Sequence, residues 1–167
     1  RYFDTLVDTL IGVWLPAWRR RAKVKEVTHP KFYFFDPGVV RALGNRSREP
    51  LEPSERGFLL ETLVLHELRA WMSIHNTGGK LCYWRTPAGR EIDFVWQRGG
   101  KAVGIEIKAS TEWRPEYSAV LKELLETHVV TTGYGVYLGA RPLRDGPVSV
   151  APLKDFMKLL STGGVFT

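Results

Sequence analysis

The sequence predicts an α/β domain in which a mixed sheet is flanked by helices, and three observations carry that reading. Residues 91–110 form two runs of β-branched and aromatic residues around Gly99-Gly100. Glycines supply the positive φ that a two-residue hairpin turn needs. Apolar residues then recur at helical spacing over 54–72 and again over 115–127. Lastly, a strand at 102–110, a helix at 115–127 and a strand at 134–138 follow one another. Two strands joined through a helix pair in parallel by a crossover, so the sheet must be mixed.

At the start of the chain, residues 1–10 read as a short helix with Phe3, Leu6, Val7 and Leu10 on one side, ended by Gly12. Residues 13–18 and 31–35 are strand-like. Between them lies a basic run: Arg19, Arg20, Arg21, Lys23 and Lys25. A helix followed by a hairpin with a basic tip resembles the end of a winged-helix module. A solvated basic loop fits the same residues. If the tip meets DNA, it does so through the backbone, by counterion release. Asp36-Pro37-Gly38 is a turn or helix start, and 39–43 a short helix. The stretch 44–53 mixes Gly, Asn, Ser and two prolines with charges, as linkers do. The expected organisation is a winged-helix-like remnant at 1–45, a linker at 46–53 and the α/β domain at 54–167.

The helix at 54–72 takes Ser54 as its expected N-cap. Phe58, Leu65, Leu68 and Met72 form its apolar stripe, with Glu61 inside it, while Thr62, His66, Arg69 and Ser73 form the polar face. A carboxylate turned inward needs a partner. Residues 80–86 form a strand, and Arg85 near its end either contacts phosphate or is a charge at a strand end. In the hairpin, alternation groups Ile92, Phe94 and Trp96 on one face and Glu91, Asp93 and Val95 on the other. Val103, Ile105, Ile107 and Ala109 are apolar, and Gly104, Glu106, Lys108 and Ser110 point the opposite way. With Gly99-Gly100 as the turn, Asp93 faces Glu106 and Glu91 faces Lys108. Directly opposed carboxylates repel unless something compensates, and a divalent cation is the natural compensation. An exposed charged hairpin face is the other reading. In the helix at 115–127, Tyr117, Val120, Leu121, Leu124 and Leu125 face inward. A strand at 148–150 and a helix at 153–160 close the chain.

The chain has 167 residues, 44% apolar and 25% charged, which is the composition of a soluble globular protein. A net charge of +6 is compatible with a polyanionic partner. The single cysteine, Cys82, excludes an internal disulfide and a cysteine metal site, and it suits a reducing, cytoplasmic setting. Neither a signal peptide nor an apolar run of membrane-spanning length is visible. Starting at Arg1, already in helical pattern, the chain reads as a fragment of a longer protein. Oligomeric state has no signature in the sequence.

Glu61, Asp93 and the triplet Glu106-Ile107-Lys108, in that element order, resemble the PD-(D/E)XK nuclease superfamily. Four separated phrases, KFYFFDPGVVRALG, LLETLVLHEL, YWRTPAGREIDFV and GIEIKAS, resemble the C-terminal domain of uncharacterised prokaryotic AAA-type ATP-binding proteins. One departure is Ile92, where the superfamily's name has proline. The resemblance implies a restriction-endonuclease-like core acting on DNA, with an AAA-type ATPase module upstream. This stretch has no phosphate-binding loop of its own. It also implies Mg²⁺ or Mn²⁺ held by Asp93, Glu106, the Ile107 carbonyl and Glu61, with Lys108 orienting the nucleophile. Ser110 is either a phosphate contact or a strand-end cap. Two rivals stand beside this reading: a non-catalytic DNA- or protein-binding module accessory to the ATPase, and a pure interaction domain.

Overall fold

The computed structural model describes residues 2–19 and 29–166. Helix α1 (Tyr2–Asp8) leads into β1 (Gly12–Leu15), which pairs antiparallel with β2 (Lys31–Phe34). The first helix ends at Asp8, before Gly12, and Leu10 in the turn that follows sits at φ 62°. Gly12 is instead the first residue of β1, where a side chain would collide with the Phe32 ring. Of the basic run, Arg19 is exposed, and Arg20, Arg21, Lys23 and Lys25 lie outside the described residues.

Helix α2 (Pro37–Leu43) is capped by Asp36, whose carboxylate accepts from the N–H groups of Gly38 and Val39. The expected linker is tied down: Arg46 contacts Glu49, Glu52 and Glu55, and Arg41 donates to the carbonyls of Arg46 and Glu49. Helix α3 (Pro53–Ile74) starts one turn-step earlier than expected, with Glu52 rather than Ser54 as its cap. Pro53 at the first helical position is pre-set for helix and has no N–H to satisfy. The Glu55 carboxylate accepts from the Glu52 N–H.

One six-stranded sheet follows, in the order β3-β4-β5-β6-β8-β7. Its strands are β3 (Lys80–Arg85), β4 (Glu91–Arg98), β5 (Lys101–Lys108), β6 (Thr132–Tyr137), β7 (Leu143–Asp145) and β8 (Val148–Pro152). The pairs β5·β6 and β6·β8 are parallel and the rest antiparallel. The β5-to-β6 crossover runs through a 3₁₀ turn at Pro115–Ser118 and helix α4 (Ala119–Glu126), so the expected single helix at 115–127 is divided. Helix α5 (Leu153–Ser161) closes the chain.

Helices α3 and α5 cover one face of the sheet, through Leu65, Leu68, Phe156 and Leu160 against Phe94, Trp96, Ile105 and Ile107. Leu121 and Leu124 of α4 cover the other, against Ile92, Val95 and Ala102. The first hairpin shares the larger core, for Leu15 and Tyr33 are buried in the same cluster as Leu65. This hairpin corrects the reading of α3. Thr62 is fully buried, the His66 Nε2 lies 2.6 Å from the Phe34 carbonyl oxygen, and Tyr33 stacks on Phe58 with centroids 5.7 Å apart. The flank that reads as polar in isolation is the flank the hairpin covers. Among the described residues no helix is long and apolar enough to cross a membrane.

Candidate metal-dependent site

The β4·β5 register is the one the Gly-Gly turn dictates. Its pairs run from Arg98–Lys101 to Phe94–Ile105 and stop there. Gly99 at φ 59° takes the first turn position, as a type II′ turn requires. On the other side of β4, Cys82 pairs with Val95 but Trp84 pairs with Ile92, so Asp93 and Phe94 together oppose Tyr83. That bulge breaks the expected alternation. Ile92 packs with Val95 on the α4 face, not with Phe94 and Trp96. Bulges re-aim side chains and end pairing. Here the carboxylate next to the bulge takes over a backbone bond: Asp93 Oδ2 accepts from the Ile107 N–H at 2.7 Å. Asp93 therefore binds beside Glu106 on β5, where simple pairing would set it directly opposite. Along an extended strand a residue's N–H and C=O project to the same side, which turns the Ile107 carbonyl toward β4 as well.

Asp93 and Glu106 are the two charged side chains among the buried described residues, each 7% exposed. Burial pushes the Asp93 carboxyl well above the usual carboxylate range, with the charges of Glu106 and Glu61 adding to it and the Ile107 N–H opposing. Glu106 Oε1 is 2.5 Å from Lys108 Nζ, while Oε2 is buried with no hydrogen-bond partner among the described residues. An ion pair alone would lower the Glu106 pKa. Burial outweighs it and pushes the group up to about 7. Burial works against the Lys108 ammonium too, but Glu106, Asp93 and Glu61 raise its pKa overall. Its Nζ also lies 5.6 Å from the Tyr117 ring centroid.

Glu61 is half-buried on α3 and accepts at Oε2 from the Tyr33 hydroxyl at 3.2 Å. Burial raises its pKa, against the pull of Lys31 and Tyr33. Thus Glu61, Asp93, Glu106 and Lys108 share one electrostatic neighbourhood. They are not drawn into a ready-made ligand cage: among the described residues no three His, Cys, Asp or Glu side chains are grouped to hold a metal ion.

The remaining candidates sit elsewhere. Glu91 does not pair with Lys108 but with Lys31, and with Arg85 at 3.6 Å. Arg85 is thereby a half-exposed strand-end charge. Ser110 caps its own loop, donating to the Glu112 carbonyl and accepting from the Glu112 N–H. Two residues next to the acids escaped the sequence reading, Tyr33 and Lys31. Alternation along β2 puts both on one face, and that was the available signal.

The oxygen-only donor set suits a hard divalent cation. Glu106 Oε2 is an acceptor that no donor among the described residues satisfies, so the chemistry of the residues present fits such an ion.

A family model described as a domain of unknown function, DUF4143, matches residues 56–156. Two uncharacterised proteins, one of Mycobacterium bovis and one of Mycobacterium tuberculosis, are each 31% identical to this chain over 169 residues. The match covers 99% of this chain and 36% of each relative. The chain therefore spans about a third of the length of the curated relatives it matches. No solved structure matches it.

Proposed function

The chain belongs to the DUF4143 family, and from that footing we propose that it is a divalent-metal-dependent phosphodiesterase module acting on DNA. The observation that carries the reading is the buried acid pair where the β4·β5 ladder ends. Asp93 replaces a backbone partner of Ile107, and Glu106 keeps one oxygen without a donor among the described residues. Two buried carboxylates without a full set of partners are costly in a fold that has no use for them. Asp93, Glu106 and the Ile107 carbonyl would hold Mg²⁺ or Mn²⁺, with Glu61 completing the set directly or through water. When bound, the ion supplies charge neutralisation at the phosphoryl group and a more acidic water. Lys108 leaves Glu106, orients the attacking water and offsets negative charge on the phosphate. The basic run from Arg19 to Lys25 supplies sequence-independent backbone contacts.

The element order helix, strand, strand, strand with Glu61, Asp93 and Glu106/Lys108 supports the PD-(D/E)XK assignment. The length of the relatives supports a larger protein around this module, for which we propose an AAA-type ATPase in a cytoplasmic setting. A non-catalytic module is the second reading, and a specific contact favours it: Lys108 already neutralises part of Glu106.

Plasmid nicking in Mg²⁺ or Mn²⁺ tests the proposal. We expect metal-dependent cleavage that Glu106→Ala abolishes and Lys108→Ala lowers with little change in metal affinity, since a charged lysine cannot ligate the ion. Equal activity in wild type and Glu106→Ala overturns catalysis. Metal binding by a wild type that cleaves nothing supports the accessory module.

A further inference from the structure

Resting on the phosphodiesterase reading, we propose that the first hairpin is a wall of the same site, and that Tyr33 is a positioning residue that aims Glu61. Glu61 projects from α3 with nothing on its own helix to hold its carboxylate. Tyr33, which is 1% exposed, reaches it from β2, and its ring is clamped by a near-parallel stack on Phe58 with an interplanar angle of 6°. The hydroxyl therefore approaches Glu61 from a fixed direction.

The chemistry of the donor matters. Lys108 neutralises the carboxylate it touches. A phenol donates a hydrogen bond and leaves the negative charge available to a cation, the arrangement that outer partners of metal ligands share. Lys31, on the same face of β2, adds positive charge at the rim through Glu91.

The hairpin is docked firmly enough for this task. Ala17 bridges to Tyr83, the Trp18 N–H donates to the Tyr83 carbonyl at 2.6 Å, and the Tyr83 N–H donates to Pro16 at 3.0 Å. The Trp18 indole N–H donates to Gln97 Oε1 at 2.8 Å, and the Tyr83 hydroxyl donates to the His29 carbonyl. These bonds fasten the loop end of the hairpin, through both of its strands, to β3 and β4.

A Mn²⁺ titration of thermal midpoint on wild type, Tyr33→Phe, Glu61→Gln and the double variant tests the inference. Phenylalanine keeps the stack on Phe58 and removes only the hydroxyl. We expect Tyr33→Phe to raise the Mn²⁺ concentration at half-response roughly tenfold, and the double variant to respond no worse than Glu61→Gln alone. A purely structural tyrosine would shift the metal-free midpoint and leave half-response unchanged, which overturns the inference. Multiplying effects in the double variant also overturn it. A wild type blind to Mn²⁺ overturns the phosphodiesterase reading and this inference with it. Should Tyr33→Phe not fold, Glu61→Asp withdraws the carboxylate from the hydroxyl, and an unchanged half-response again refutes the positioning role.

Discussion

Glu106 has one oxygen on the Lys108 ammonium and the other facing no donor among the described residues, in a buried setting that favours its neutral form. This gives the metal-free protein a pH signature. The folded pKa, about 7, lies above the ordinary carboxyl value of 4.5. A group raised in this way contributes stability below the unfolded value and loses it as pH rises through the folded one. Asp93, also raised, acts in the same direction. The stability of the metal-free protein should therefore fall as pH rises from about 4.5 to about 7, by an amount on the order of 3 kcal/mol for Glu106, and its thermal midpoint should fall with it. Glu106→Gln should flatten that slope, and melts by circular dichroism at four or five pH values check it. A slope that survives the substitution assigns the effect to other groups. Of this chemistry the sequence showed the identity of the acids and their inward setting, because strand alternation and the Gly-Gly register are local. The orphaned oxygen was beyond it, since that depends on which donors neighbouring strands bring.

Strand β5 lies between β4 and β6, and β6 is tightly packed. A Cβ on Gly135 would sit 2.5 Å from the Trp113 indole, whose Nε1–H is held by Ser118 at 3.0 Å. A rigid ring pinned at its nitrogen cannot yield cheaply. Gly135→Ala should destabilise by about 1–3 kcal/mol. It should also disturb the loop that follows Lys108, seen as a lower denaturation midpoint and changed Trp fluorescence. At this scale α3, the three antiparallel strands and the crossover to β6 were legible, because each has its own periodicity or turn signal. Strand β7 was not, being three residues of Leu143–Asp145 with no alternation to read. The bulge at Asp93 and Phe94 was also hidden, since it exists only in the pairing of β4 with β3.

Across the whole molecule, the N-terminal hairpin and the sheet stand or fall together. Leu15, Trp18 and Tyr33 are buried at 2%, 4% and 1% exposure against elements far along the chain. Losing a buried aromatic of this kind removes about 3–5 kcal/mol, and a domain has only about 5–15 kcal/mol in total. A chain begun at Pro53 should therefore lose its cooperative transition and associate in size-exclusion chromatography. A sharp melt at the same temperature as the 167-residue chain would show that the sheet needs no hairpin. This union was the largest gap in the sequence reading, because alternation in β2 tells which residues share a face and not what that face meets. It also bears on synthesis. Trp18 and Gln97 are separated by 79 residues, and translation proceeds at roughly 5–20 residues per second. For about 4–16 seconds on the ribosome the Trp18 indole lacks its Gln97 partner, so a nascent-chain chaperone that shields apolar segments has this one to bind.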